Sequence, residues 1–388
     1  MQKVEKLLKA LQADQYDEVL TKQYGIENLA KQKSRFENAV TRFGRIYGFD
    51  RRANVYSVPY SVLLTGDGSD IAIPTSLDAI AICISNDVNV SRLQARDYFG
   101  EDNIDLYQKG PYEPEIDKSS GVLRGVEEAF RHFGYNVYGI DIFFDADTLP
   151  QSGLCEPVHI ATTIAYILNI IFNESKITPS ELSQVVQWAL ANYCLVDSDP
   201  LCCMASLEGK PLMGDFTNPD SPVISTLNEL CDDTKFICVN TGLSTPDIAE
   251  EQIDSRLDAL ISKLGKSLDE MTEEEFYTAV ADFGADCDKD AVLFLADYFT
   301  QENLTALYEK YAKPGIGAPV LEVTVPLNTT NIGGCSKWRN HIYRPYWMVL
   351  CCVKDSAAPA FSKAMTNLFG ENSLEVLSPA IGGAKELL

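Results

Sequence analysis

The chain has 388 residues, 46% of them hydrophobic, which is enough for about two globular domains with sizeable cores. It carries 56 acidic against 32 basic residues, and the resulting formal charge of -24 repels nucleic acids and anionic membrane surfaces. Its eleven cysteines include two adjacent pairs and no C-x-x-C pair, a pattern unlike a disulfide framework or a zinc site. We therefore expect reduced thiols, no metal site and no nucleic-acid partner.

The N-terminal segment MQKVEKLLKALQADQYDE is charged and has helical periodicity, unlike the uninterrupted apolar core of a signal peptide. The longest apolar stretch, around Ile160 to Phe172, is interrupted by threonine and asparagine and is too short to cross a bilayer. The sequence thus predicts a soluble, cytoplasmic protein without a membrane partner.

In chain order, apolar residues first recur at helical spacing through the initial 48 residues, as in Phe36, Val40 and Phe43. Later, Pro157 opens a strongly apolar helix, since the N–H that proline lacks would be unpaired in a first turn anyway. The segment Pro179-Ser180-Glu181-Leu182 resembles a helix N-terminal cap. Between residues 49 and 194 we expect strands at 54–64, 79–85 and 137–144 and helices at 121–133, 157–173 and 180–194.

The polar, cysteine-containing segment 195–220 is the expected domain boundary. Beyond it we expect strands at 235–240, 319–325, 346–353 and 374–378 and helices at 247–264, 271–283, 290–310 and 357–369. These strands and helices alternate without the regular rhythm of a doubly wound sheet, which favours an α+β fold. The sequence therefore predicts two lobes, comprising residues 1–205 and 206–388.

The stretch VPYSVLLTGDGSD, from Val58 to Asp70, runs from a buried strand into a polar turn of the kind that can hold a hydroxylated ligand. It resembles the first motif of the galactokinases of the GHMP kinase superfamily, A-P-G-R-V-N-L-I-G-E-H-T-D-Y, with Pro59, Gly66 and Asp70 at its proline, glycine and aspartate. Further segments resemble later motifs of that family, in the same order and over nearly the whole chain: Leu149 to Pro157, Ala205-Ser206, Gly209-Lys210, Val239-Asn240-Thr241, Glu302-Asn303 and Leu374 to Ala384.

This resemblance implies the two-lobed GHMP kinase fold, with an N-terminal mixed sheet with helices and a C-terminal antiparallel α/β sandwich. It also implies an ATP-dependent sugar kinase, with ATP and Mg²⁺ as cofactors and a galactose-like sugar as substrate. Such an enzyme transfers the γ-phosphoryl group to a sugar hydroxyl, and its own contribution is positioning and electrostatic stabilisation. The charges at the matching positions therefore decide whether activity is expected.

Two charged catalytic groups of the family are replaced in this chain. The arginine that stabilises the transferred phosphoryl group aligns with Ser61, and the aspartate of the D-Q-x-A-S segment aligns with Cys202. A thiol is mostly protonated at neutral pH and is a poor substitute for a carboxylate acting on an alcohol. Asp199 lies three residues before Cys202 and stays a catalytic candidate if the loop between them is rebuilt.

The nucleotide-binding loop of the family, P-x-G-x-G-L-S-S-S, is changed as well. The matching residues are Ser152, Gly153, Leu154, Cys155 and Glu156, followed by Pro157. A helix N-terminus binds phosphate through unpaired N–H groups and the helix dipole, whereas here proline removes one N–H and glutamate adds a carboxylate. Two like charges about 4 Å apart repel by roughly 4 kcal/mol at an effective dielectric of 20. We therefore expect weak ATP binding unless Glu156 holds Mg²⁺ or turns away.

The sugar side keeps more of the family pattern, because Asp67, Ser69 and Asp70 align with its glutamate, threonine and aspartate. Two carboxylates and a hydroxyl can accept hydrogen bonds from the vicinal hydroxyls of a sugar. The alternative is an ordinary turn whose aspartates bond their own backbone. His159, on its apolar helix, is better explained as a core histidine than as a catalytic residue, and Cys202 is better explained as a small buried hydrophobe.

Three interpretations remain open. The leading one is a galactokinase-like protein with impaired phosphoryl transfer that serves as a sugar- or nucleotide-binding sensor or regulator. The second is an active sugar kinase in which Asp199 or Glu156 has taken over a catalytic role. The third is a scaffold that uses the altered cleft to bind a protein partner.

Overall fold

The structure is a computed structural model that describes most of the chain. The described residues are 1–65, 69–95, 102–115, 119–146, 156–196, 198, 200–215, 223–227, 233–244, 250–267, 270–311, 346–371 and 373–388. None of the helices in these ranges is both long enough and apolar enough to cross a bilayer.

Within the described residues, the centre of the fold is a nine-stranded, mostly antiparallel sheet. The strands of its main path are β1 (Gln2–Lys3), β2 (Arg52–Thr65), β3 (Ser69–Ser85), β4 (Val90–Ala95), β5 (Asp102–Asp105) and β6 (Ile140–Ala146). They lie in the order β1-β2-β3-β6-β4-β5, and along this path β4 and β6 are the parallel neighbours. Three more strands join beside this path, namely β7 (Leu212–Asp215), β8 (Val223–Thr226) and β12 (Lys385–Glu386).

Helices cover one face of this sheet at the N-terminal end of the chain. They are α1 (Val4–Gln12), α2 (Asp17–Tyr24) and α3 (Leu29–Tyr47). Their apolar stripes, including Phe36 and Phe43, pack against Ile80 and Ile82 of β3. A buried ion pair fastens this layer, because the Arg35 guanidinium on α3 donates to the carboxylates of Asp78 and Asp145 at 2.7 and 2.9 Å.

A second helical layer covers the opposite face. It consists of α4 (Ser119–His132), α5 (Glu156–Asn173), α6 (Pro179–Tyr193) and α7 (Pro200–Glu208). Ala79, Ala81 and Cys83 of β3 join the core on this side, whereas Ile80 and Ile82 belong to the other. Because successive strand residues project to opposite faces and both faces are covered here, the part of β3 from Ala79 to Ile84 is an unbroken apolar run.

The later part of the chain builds a smaller antiparallel sheet of order β10-β9-β11. Its strands are β9 (Thr234–Ser244), β10 (Tyr346–Lys354) and β11 (Leu374–Leu377). The accompanying helices are α8 (Glu250–Leu264), α9 (Glu273–Phe283), α10 (Lys289–Tyr311) and α11 (Ala358–Phe369). Tyr277 of α9 and Phe361 of α11 are fully buried with ring centroids 4.8 Å apart, which places the core between these helices.

The C-terminal tail returns to the first sheet. Thr75 of β3 forms an isolated bridge with Pro379, and β12 pairs with β2. At Gly209, φ is +66° and a Cβ would lie 2.0 Å from the Gly383 nitrogen, so only glycine permits this close approach. The tail is thereby fixed against the end of α7.

Most of the expected elements are confirmed, with shifts of a few residues at their ends, but β3 begins at Ser69, ten residues before the expected strand at 79–85. The expected strand at 319–325 lies outside the described residues. The cap of α6 is Thr178, directly before the predicted cap segment 179–182, because the Thr178 hydroxyl accepts from the Glu181 N–H at 3.3 Å. The segment 195–220 contains α7 and β7, and its role as the domain boundary stays a prediction. The division at residue 205 stays a prediction.

Candidate ligand-binding site

The β2–β3 hairpin changes register where the sequence places its first motif. Pro59 pairs with Asp78, but Ser61 pairs with Pro74, so Tyr60 on β2 lies opposite an irregular stretch of β3. Such an irregularity leaves backbone groups without ladder partners. Side chains bond to two such backbone groups here. The Thr75 hydroxyl donates to the Tyr60 carbonyl at 3.1 Å, and the Ser61 N–H donates to His159 Nε2 at 3.3 Å.

His159 lies in the first turns of α5 and is 1% exposed. Its ring packs edge-on against the Tyr60 ring, with centroids 4.1 Å apart. Because burial penalises the charged imidazolium, the pKa of His159 falls from 6.5 to about 3. Its Nε2 accepts a hydrogen bond, so His159 is neutral with the proton on Nδ1, which has no hydrogen-bond partner among the described residues. The prediction of a core histidine is confirmed, and half of its bonding capacity is used.

Ser61 is fully buried, and its hydroxyl lies 2.8 Å from the hydroxyl of Ser206 on α7. Cys202, one turn earlier on α7, is 2% exposed and belongs to the main core. The neighbouring Cys203 is equally buried, and burial raises the pKa of its thiol to about 12. The two aligned catalytic positions that the structure describes therefore hold uncharged side chains inside the protein.

The predicted sugar-binding residues lie at the far end of the same hairpin. Asp70 is half-buried and pairs with Thr65 of β2 and with Gly214 of β7. The backbone of Ser69 pairs with Asp215, and Asp67 lies outside the described residues. Asp215 thus adds a half-buried carboxylate at this end of the sheet. Sequence patterns did not reveal it, because the pairing of β7 with β3 joins segments that are far apart in the chain.

Of the predicted nucleotide-binding residues, the structure describes only the backbone of Glu156, with which α5 begins. Ser152, Gly153, Leu154 and Cys155 lie outside the described residues, as does the catalytic candidate Asp199. The first turn of α5 therefore contains Glu156 and Pro157, which add a carboxylate and remove an N–H donor where a phosphate would need positive potential. Because the rest of this loop lies outside the described residues, weak binding of ATP with Mg²⁺ stays a prediction.

Neither the models of known protein families nor the curated protein sequences match this chain. Solved structures do match this chain. Lactococcus lactis galactokinase, in complex with galactose, superimposes with a TM-score of 0.56 at 14% identity, covering 89% of this chain and 98% of that one. A putative sugar kinase from Campylobacter jejuni gives a TM-score of 0.50 at 12% identity, covering 86% and 97%.

The chain has the GHMP kinase fold. The galactokinase and the Campylobacter jejuni protein share this fold with the chain, whereas identities of 14% and 12% leave its activity to its own residues. The predicted α+β class and the GHMP kinase architecture are confirmed.

Proposed function

We propose that this chain is a sugar-binding protein with the GHMP kinase fold, in which phosphoryl transfer is impaired and ligand binding serves a sensing or regulatory role. The observation that carries the proposal is the burial of Ser61 and Cys202. Under the alignment with galactokinases, these positions would hold the catalytic arginine and aspartate. Here each is uncharged and essentially without accessible surface, so neither can touch a bound ligand.

Phosphoryl transfer depends on charges that are fixed around the transferring group, because the reaction requires little covalent participation by the protein. Among the described residues, the two side chains that bond to Ser61 add no such charge. Ser206 is a neutral hydroxyl, and His159 stays neutral because burial lowers its pKa to about 3. These described hydrogen bonds of Ser61 are therefore both neutral.

Sugar binding is supported by the carboxylates at the end of β3 and β7. Asp70 and Asp215 are both half-buried, so each retains accessible surface while bordering the core. Ionised carboxylates accept hydrogen bonds from sugar hydroxyls. The galactokinase structure that shares this fold was determined with galactose, which makes galactose the first sugar to test.

The test measures galactose binding to the full chain by calorimetry and galactose-dependent release of ADP from MgATP. We expect binding without galactose-dependent turnover, and D70N should weaken binding by about tenfold or more, the equivalent of one charge-assisted hydrogen bond. D87N is the matched control, since Asp87 is exposed beyond the other end of β3.

Two other outcomes would replace the proposal. Galactose-dependent ADP release that D199N abolishes would establish an active kinase, with Asp199 in the catalytic role. Failure to bind galactose or nucleotide, with the protein folded, would favour the scaffold interpretation. Equal galactose binding by wild type and D70N would remove Asp70 from the sugar site.

A further inference from the structure

A cavity of about 150 Å³ lies between the two sheets, at the place where the C-terminal tail crosses the irregular stretch of β3. Val62 and Ile73, which pair across β2 and β3, form one wall, and Phe236 and Leu377 of β9 and β11 form the other. All four side chains are at most 5% exposed. The interior is therefore largely apolar.

One polar group in this cavity has no partner. Thr234, at the start of β9, is 8% exposed, and its Oγ1 makes no hydrogen bond within the described part of the chain. The other interior hydroxyl, on Thr75, is already bonded to the Tyr60 carbonyl. Buried hydroxyls nearly always have a partner, so an isolated one at the wall of a cavity points to a missing group.

The charged groups at the rim balance each other. Lys235 Nζ lies 3.4 Å from Asp355 Oδ1, and each side chain is about half exposed. A charged occupant would therefore find no uncompensated counter-charge at the entrance. Among the buried, described side chains that line the cavity, Thr234 Oγ1 is the one hydroxyl without a partner, whereas an ordered buried water normally makes two to four hydrogen bonds.

We propose that this cavity is a binding site for a small, neutral, mainly apolar molecule that carries one hydroxyl or carbonyl group. A cavity of this volume holds a molecule about the size of benzene. The apolar body of the ligand would lie against Val62, Ile73, Phe236 and Leu377, and its polar group would bond to Thr234 Oγ1.

The cavity does not contain the carboxylates of the proposed sugar site. Its residue Ile73 lies three residues after Asp70 along β3, and Pro211 lies four residues before Asp215. The cavity is also adjacent to the irregular point of β2, because Thr75 both lines the cavity and bonds to the Tyr60 carbonyl.

Phenol and benzene are suitable probes, because they have nearly the same size and differ by one hydroxyl. Binding of each to the full chain can be measured by ligand-observed NMR, with thermal unfolding as the second readout. We expect phenol to bind about tenfold more tightly than benzene, the equivalent of one net hydrogen bond. T234V should reduce phenol binding to the level of benzene and leave benzene binding unchanged.

T226V is the matched control, since it makes the same exchange at an exposed strand position of β8. The V62F variant should block the binding of both probes, because the larger side chain fills the cavity. If V62F does not fold, T234V still tests the proposal, because valine is nearly isosteric with threonine. Equal binding of phenol and benzene, or a T234V variant that binds phenol like the wild type, would overturn the assignment of Thr234. Binding of neither probe up to about 10 mM would overturn the site itself and leave it as a water-filled cavity.

Discussion

Replacing His159 by glutamine should change how the stability of the protein depends on pH. In the folded state the pKa of His159 is lowered to about 3 by burial, whereas in the unfolded chain it returns to 6.5. Between these values the unfolded state binds a proton that the folded state does not. The stability that depends on the neutral imidazole is thus complete above pH 6.5 and is lost as the pH falls toward 3.

The magnitude follows from the two pKa values. At pH 5.5 the unfolded histidine is about ten parts protonated to one part neutral, so protonation lowers the free energy of unfolding by about 1.4 kcal/mol relative to pH 7.5. Glutamine does not titrate, and its side-chain oxygen can still accept the Ser61 N–H bond that His159 Nε2 accepts at 3.3 Å. The H159Q variant should therefore lack this loss, whatever its stability at pH 7.5.

Urea unfolding of wild type and H159Q at pH 7.5, 6.5 and 5.5, at one ionic strength, measures the effect. The difference between the two free energies should move in favour of the variant by about 1.4 kcal/mol over this range. H132Q makes the same exchange at an exposed histidine on α4 and reports what the substitution does by itself. A difference that stays constant from pH 7.5 to 5.5 would show that the imidazole is protonated in the folded state, and the neutral site described above would be wrong.

Three further predictions concern other buried or capping groups. Burial raises the pKa of Glu127 to about 8 despite nearby Arg131 and Arg124, so the stability that depends on its protonated carboxyl is present below pH 4.5 and is lost as the pH rises toward 8. In urea unfolding, the E127Q variant should therefore gain about 1.4 kcal/mol of unfolding free energy over wild type per pH unit between these values. A difference that does not depend on pH would contradict this prediction. The R35M variant leaves the buried carboxylates of Asp78 and Asp145 without their cation and should lower the unfolding free energy by about 3–5 kcal/mol. A loss under about 1 kcal/mol would show that these ion pairs are solvated. T178A removes the cap of α6 and should cost about 1 kcal/mol, whereas T178S, which keeps the hydroxyl, should cost much less.

The sequence predicted well those segments that lie in one environment, such as burial on most sides, along their whole length. α5 is apolar on most sides because it is enclosed, and residues 79–84 of β3 are continuously apolar because both faces of the strand are covered there. By contrast, α7 was missed. Leu201 to Ser206 are all buried in this nine-residue helix, so it has no polar face and no amphipathic stripe to detect.

The geometry of the candidate site depends on contacts between distant parts of the chain, which single-sequence patterns do not contain. The register change at Tyr60 accompanies the docking of the tail, in which the Ser76 N–H donates to the Ser378 carbonyl at 2.6 Å. The pairing of Asp215 with Ser69 is equally non-local. Motif alignment located Ser61 and Cys202, but only the packing of α7 shows that both are inside the core.

Under the alignment with galactokinases, the burial of these positions would explain why the departures from that pattern occur together. Ser61 has no accessible surface, and it bonds to Ser206 through its hydroxyl and to His159 through its backbone N–H. An arginine at this point would keep the backbone N–H but lose the hydroxyl bond to Ser206 and its own hydration, at a cost of several kcal/mol unless a carboxylate paired with it. The carboxylate that the alignment would supply is replaced by Cys202, which lies in the same core. Restoring one charge alone would therefore destabilise the fold before it could contribute to catalysis, so the neutral hydrogen bonds and the apolar contacts of α7 form one interdependent arrangement.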